Sequence, residues 1–200
     1  MRDFAYTLIA KTFSNAVQMT RHLIWLVGSE DGVHVTPVEN VTIVGEGTIN
    51  CNRTGQTAEA NHLVADISSA VLVQGRTKYV DINGLNVPNA DRPIMAYGKH
   101  TGTYLNFGLT SGGESFDGSY LSIRNITAPT SQRGVLVGHP AHRGRYTNYS
   151  VDSCNVTTIV GGAAVEPNYR SHNWDVTNCT LTPTSGKSFG LHLWRGPKSG

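Results

Sequence analysis

Five stretches of this chain, residues 41–49, 80–87, 121–128, 151–156 and 176–181, lay over one another with the same apolar spacing. The last four share one frame: Ile82-Asn-Gly-Leu85-Asn-Val87, Ile123-Arg-Asn-Ile126-Thr-Ala128, Val151-Asp-Ser-Cys154-Asn-Val156 and Val176-Thr-Asn-Cys179-Thr-Leu181. A second frame lies upstream of each block: Val71-Leu-Val73, Ile94-Met-Ala96, Val135-Leu-Val137, Ala163-Ala-Val165 and Leu191-His-Leu193. Its successive copies are 23, 41, 28 and 28 residues apart. Each unit thus holds a short strand and then two more split by a two-residue turn. Strands this short bury no face alone, and stacking like units gives them a continuous core. Period-two alternation rich in Val, Ile and Thr argues against helix.

The second turn position is Gly84, Asn125, Ser153 and Asn178. Gly and Asn accept a left-handed backbone most readily, so this position reads as a solenoid corner. Stacked amides there can bond along the axis. On these residues the chain resembles the pectate-lyase-like superfamily of right-handed parallel β-helices. The segment Val38-Glu-Asn-Val-Thr-Ile-Val-Gly-Glu-Gly-Thr-Ile-Asn50 is similar to an opening coil of that superfamily. Gly162-Ala-Ala-Val-Glu-Pro-Asn168, followed by Asp175-Val-Thr-Asn-Cys-Thr180, is similar to a later one. The resemblance spans about residues 22–195 and implies an all-β fold, a right-handed parallel β-helix. It implies no one activity, because fold does not fix function. The Asn-Thr-Asp and Gly-His-Gly pattern of polygalacturonases is absent, as is the Asp-Pro-His-Glu pattern of mannuronan epimerases.

Residues 1–200 read as a single domain, with 1–21 as a short N-terminal capping helix over an otherwise open end. The last coil reads as incomplete after Leu191-His-Leu-Trp-Arg195, which suggests a fragment, a trimer or a capping partner. A net charge of +2 with no basic run gives no argument for nucleic acid. No stretch is apolar enough to span a membrane, and residues 4–26 make a poor signal peptide. An extracellular or virion-surface location is the expectation. Cys154 and Cys179 occupy the position held by Leu85 and Ile126, so they read as small core residues. Six Asn-x-Ser/Thr sequons, at Asn40, Asn52, Asn125, Asn148, Asn155 and Asn178, fit the turn preferences of a solenoid as well as they fit glycosylation.

Alternation along the first strand of each unit turns two columns outward. One is Gln74, Tyr97, Gly138, Glu166 and Trp194; the other is Leu72, Met95, Leu136, Ala164 and His192. Aromatic rings beside a carboxylate are a means of holding sugars. The following loops add His139, His142, Arg143, Arg145, Arg170, His172 and Arg195, a basic rim suited to an anionic polysaccharide. The expectation is a groove binding polysaccharide through Tyr97, Trp194, His192, Arg195, Arg170 and Gln74. Two chemistries stay open. In a lyase, His139 or His142 is the base and Arg143, Arg145 or Arg195 neutralises a uronate. In a hydrolase, Glu166 needs a second acid, Glu114 or Asp117. A third reading is a non-enzymatic module of a virion spike, fibre or adhesin. No third ligand accompanies His139 and His142, so zinc is not expected. Calcium, through Asp81, Asp152 and Asp175, is open.

Replacing Asn125 or Asn178 with Leu is expected to destabilise the fold by about 1–2 kcal/mol, because a left-handed position loses its favoured residue. Thermal melting of both variants checks this, and unchanged midpoints would remove the corner assignment.

Overall fold

The computed structural model describes residues 7–9, 21–28, 37–51, 68–100, 104–105, 108–109, 115–138, 144–159, 162–168, 170–186 and 188–193. Among them every regular element is a strand. Three sets of parallel strands carry the architecture. The first sheet holds Arg21–Gly28, Ser68–Gly75, Arg92–Tyr97, Val135–Val137, Ala163–Pro167 and Phe189–Leu191, in that order. The second holds Val38–Val44, Thr77–Asn83, Gly118–Arg124, Tyr146–Asp152 and Ser171–Thr177. The third run pairs Thr7–Ile9 with Thr48–Asn50, passes through single bridges at Asn86, and continues as Thr127–Ser131, Asn155–Thr158 and Thr180–Pro183. The chain visits first, second and third sheet in the same cyclic order throughout. Between Arg92–Tyr97 and Gly118–Arg124 it makes a detour containing two small antiparallel pairs.

Inward side chains of all three sheets meet in one core. Val71 and Val73 come from the first, Val80, Ile82 and Ile123 from the second, Ala128 and Val156 from the third, and Leu85, Val87 and Ile126 from the segments that flank it. The frame of the second sheet holds residue by residue: Ile43, Ile82, Ile123, Val151 and Val176 pair in register. The corner after it also holds. Gly84, Asn125, Ser153 and Asn178 have φ of 83, 54, 52 and 51°. Asn125 Nδ2 donates to Asn83 Oδ1 at 2.7 Å, and Asn178 Nδ2 to Asp152 Oδ1 at 2.9 Å. The axial bonds therefore run from each corner amide to the residue before the corner on the preceding strand, not from corner to corner.

Two expectations need correction. The cap over residues 1–21 is not helical where it is described. Thr7–Ile9 is a strand on the free edge of Thr48–Asn50, and Arg21–Gly28 is a strand of the first sheet. An exposed edge recruits a β-branched segment, and Thr7 and Ile9 suit it. Residues 1–6 and 10–20 lie outside the described residues. The first-sheet frame is also wrong beyond Val137. Val135 pairs with Val165, not Ala163, and Val165 pairs with Leu191. A slip of two residues keeps every side chain on its face, so periodicity cannot detect it. A close crossing sets it: Gly134 N donates to Ala163 O at 2.8 Å, and a Cβ on Gly134 would fall on the Ala164 carbonyl.

At the start of the second-sheet strands, Thr77, Gly118 and Tyr146 stack in one inward column. Tyr146 is fully buried, its hydroxyl 3.0 Å from Thr77 Oγ1 across the intervening strand. A Cβ on Gly118 would lie inside the Tyr146 ring, so only glycine leaves room for that reach. Tyr149 meets the ring edge-on at 6.4 Å. Cys154 and Cys179 are free thiols at successive corners between the second and third sheets, with Cys154 N 3.4 Å from Cys179 Sγ. Burial pushes the Cys154 thiol up to about 12. Burial, aided by the nearby Asp91 carboxylate, does the same for Cys51.

Gly118→Ala is expected to cost about 1–3 kcal/mol in urea unfolding, as overpacking does. Tyr146→Phe should cost about 1–2 kcal/mol by orphaning the buried Thr77 hydroxyl. Native labelling by iodoacetamide at pH 8 should reach half-buried Cys179 first, because Cys51 and Cys154 remain protonated there. Fast labelling of Cys154 would contradict its burial.

Candidate functional site

The two faces of the first sheet differ from what alternation suggests. Arg92–Tyr97, Val135–Val137 and Ala163–Pro167 are buried at every position. Leu72, Met95, Tyr97 and Leu136 form a second apolar cluster, separate from the main core and on the opposite face. Runs such as Ala70-Val-Leu-Val and Ile94-Met-Ala-Tyr are continuously apolar, the pattern of a parallel sheet covered on both sides.

The described strand positions of the expected groove are therefore not an open surface. Tyr97 is 6% exposed and Gln74 5%, and Gln74 Oε1 accepts from Trp25 Nε1 at 3.1 Å. Glu166 is 8% exposed and moves to the column of Leu72, Met95 and Leu136 because of the register slip. Its Oε2 lies 3.0 Å from Arg92 Nη2, and its Oε1 accepts from Asn168 Nδ2 at 2.9 Å. Glu166 is thus a buried carboxylate paired with a guanidinium and an amide, and it does not face solvent as expected. His192 is half-buried, its ring stacked on Phe189 at 5.1 Å. Arg145 is exposed, and its backbone N donates to Asp117 Oδ1 at 2.7 Å. Arg170 is exposed, with a φ of 59°. Trp194, Arg195, His139, His142, Arg143 and Glu114 lie outside the described residues. By register Glu166 and His192 fall on one column.

An open site does exist on the outer face of the second sheet. Its strands are not plainly alternating: Thr77–Asn83 and Gly118–Arg124 share one burial rhythm, in which two successive side chains face out before alternation resumes. The second of each outward pair is Asn40, Tyr79, Tyr120, Asn148 or Asn173, with φ of 56, 55, 56, 55 and 51°. The paired residues on either side place all five in one column. A left-handed residue rotates the strand by one side-chain position, as a bulge does. For tyrosine this conformation is costly, roughly 1–2 kcal/mol relative to the right-handed backbone. Two such tyrosines in adjacent strands mark strain of the kind that clusters at functional sites.

These residues build a shelf. The Tyr79 and Tyr120 rings stack at 4.9 Å and 25°, each about half exposed. Lys78 Nζ lies 4.8 Å from the Tyr79 centroid and 5.8 Å from that of Tyr120. Farther along, Asn173 Nδ2 donates to Asn148 Oδ1 at 3.3 Å. Beside the left-handed column runs an outward column, Asp81, Ser122, Ser150 and Asp175. Between the two columns lies a shallow, open groove of about 640 Å³. Tyr120, Asn148 and Asn173 form one wall, Ser122, Ser150 and Asp175 the other, with Leu121, Tyr149 and Trp174 between. Arg124 closes the Tyr79 end, gripping Asp81 through two bonds of 3.0 and 2.7 Å. That guanidinium holds the Asp81 carboxyl below its ordinary range, with help from the Ser122 hydroxyl.

The three aspartates considered for calcium do not converge. Asp81 and Asp175 are separated along their column by Ser122 and Ser150. Asp152 sits in another column, bonded by Thr177 and Asn178. Among the described residues no three His, Cys, Asp or Glu side chains gather to hold a metal.

Comparison with protein-family models, with curated proteins and with solved structures returned no match.

The left-handed column predicts opposite responses at equivalent addresses. Tyr79→Asn should leave stability unchanged or raise it by up to about 1 kcal/mol, because Asn tolerates this backbone. Asn148→Val should lower stability by about 1–2 kcal/mol. Chemical unfolding of both variants tests the pair, and equal effects would mean that backbone strain is not what sets this position.

Proposed function

We propose that this chain is a glycan-binding right-handed parallel β-helix of the pectate-lyase-like type, and that it holds polysaccharide without cleaving it. Three parallel strand sets visited in cyclic order around one core support the coil architecture. The observation that carries the functional reading is the exposed Tyr79–Tyr120 stack at the head of a groove walled by amides and hydroxyls. A pyranose presents a CH-rich face to an aromatic ring and hydroxyls to its rim, and this shelf offers both partners. The groove is open and shallow, which suits an extended chain better than an enclosed small molecule.

The placement of the described acids supports binding without cleavage. Hydrolysis asks for two carboxyl groups flanking a bond. Among the described residues lining the groove, Asp175 is the one carboxylate, and Glu166 is buried with Arg92. A cation to neutralise a uronate during β-elimination is likewise absent from the described lining. Display of such a shelf fits a surface module such as a spike, fibre or adhesin.

Tyr120→Asn is the decisive variant, because Asn occupies the same column in three other strands and suits the backbone. Its melting temperature should match the parent's, while glycan binding weakens by about 1 kcal/mol or more. Incubation with acidic and neutral polysaccharides should give neither ultraviolet absorbance from an unsaturated product nor new reducing ends. Either product signal, surviving purification to constant specific activity, would replace this reading with a lyase or a hydrolase.

A further inference from the structure

We infer that the groove takes a neutral glycan, laid along the stacking axis over three successive strands, and discriminates against uronate and sulfate polymers. The inference rests on the glycan-binding reading and specifies its ligand. It runs against the acidic-polysaccharide expectation drawn from the loop arginines and histidines, and the lining chemistry is the reason.

The three strands contribute equivalent pairs at one address: Tyr120 with Ser122, Asn148 with Ser150, and Asn173 with Asp175. Each offers one planar group and one hydrogen-bonding oxygen, repeated at the strand spacing. Parallel neighbours lie about 4.8 Å apart, so the outer pairs are about 10 Å apart and roughly two to three hexose rings span them. The repeat is along the axis, so a chain lying that way meets the same chemistry at each step. A chain lying along one strand would not. At the Tyr79 end the pattern stops, because Asp81 is occupied by Arg124.

Among the described lining residues there is no cation, and Asp175, an exposed carboxylate, is one of them, while Arg124 at the Tyr79 end is held by Asp81. Lys78 and His172 flank the left-handed column on its far side, in the column shared with Ser119 and Thr147, and Lys78 lies over the tyrosine faces. Proteins receive carboxylates and sulfates with guanidinium forks or ammonium groups directed at the site. Here a uronate would meet serine hydroxyls, asparagine amides and a like charge. Like charges brought together across an interface suppress the wrong partner. The Ser and Asn groups, which both donate and accept, match the hydroxyls of a neutral sugar.

The test is an array of immobilised neutral and acidic glycans, probed with the parent, Tyr120→Asn and Asp175→Asn. Calorimetry then follows with oligomers of two to six residues of the best neutral hit and with oligogalacturonates of the same lengths. Neutral glycans should bind the parent, lose binding in Tyr120→Asn, and gain affinity up to about three residues and little beyond. Salt should leave that binding unchanged, while Asp175→Asn raises oligogalacturonate affinity about fivefold at low salt. If acidic glycans bind the parent more tightly and Tyr120→Asn abolishes that, the glycan reading stands and the neutral assignment is overturned. Affinity that climbs steadily through six residues would overturn the three-strand span. If no glycan binds, or if binding is indifferent to Tyr120, both this inference and the proposed function fall.

Discussion

Each strand of the second sheet is hydrogen-bonded in parallel register to the next, so a residue's axial neighbours are the residues that share its address. This constraint produces most of what is distinctive in the molecule. It multiplies any local feature along the axis: a buried valine becomes a core column and a left-handed corner becomes a row of left-handed corners. A left-handed kink becomes a shelf for the same reason. Tyr79 and Tyr120 stack because their backbones are held in register, with no need of a separate interaction to bring them together. Axial identity also explains how a strained conformation persists. The ladder bonds on either side of each kinked residue hold its neighbours in register and oppose relaxation of the kink.

Much of the fold was legible. The inward frame from Ile82 to Val87 and its copies appears in register, and the corner at Gly84, Asn125, Ser153 and Asn178 is left-handed. Both follow from local chemistry, apolar alternation in one case and backbone tolerance in the other. The register of Ala163–Pro167 was not legible, because a slip of two residues leaves the pattern of inward and outward positions unchanged. The close passage of Gly134 beside Ala164 decides it, and that contact joins segments far apart in sequence. The strand at Thr7–Ile9 was lost for a related reason: it is defined by the edge it joins rather than by its own three residues.

The outward face of the first sheet was misread through a wrong assumption about which faces meet water. Leu72, Met95 and Leu136 were read as an outward column, and strict alternation does turn them outward. Three consecutive apolar residues in the same strands were the sign that this outward face is itself covered. The open face carried its own signal in the pairs Lys78-Tyr79, Ser119-Tyr120, Thr147-Asn148 and His172-Asn173, each just before an apolar residue. Two polar positions in a row break alternation, and asparagine at the second of them points to a left-handed backbone. The groove itself is a product of stacking and has no counterpart within a single repeat.

The Tyr146 hydroxyl reaches past Gly118 to Thr77, two strands away, and this changes how the stack should come apart. In an array whose turns touch only adjacent turns, unfolding is a one-dimensional process in which an end frays one turn at a time. A bond that skips a turn adds a next-nearest-neighbour term. The strands carrying Thr77, Gly118 and Tyr146 then gain or lose structure as one block, because releasing any of them breaks the span across the other two. Amide exchange in these three strands should share a single opening free energy, while Arg21–Gly28 and Phe189–Leu191 exchange on their own scale. The shelf residue Tyr120 sits inside that block, and Asn148 lies just beyond Tyr146 on its last strand. The groove is therefore anchored where the array behaves least like a chain of independent repeats and most like a small globular domain.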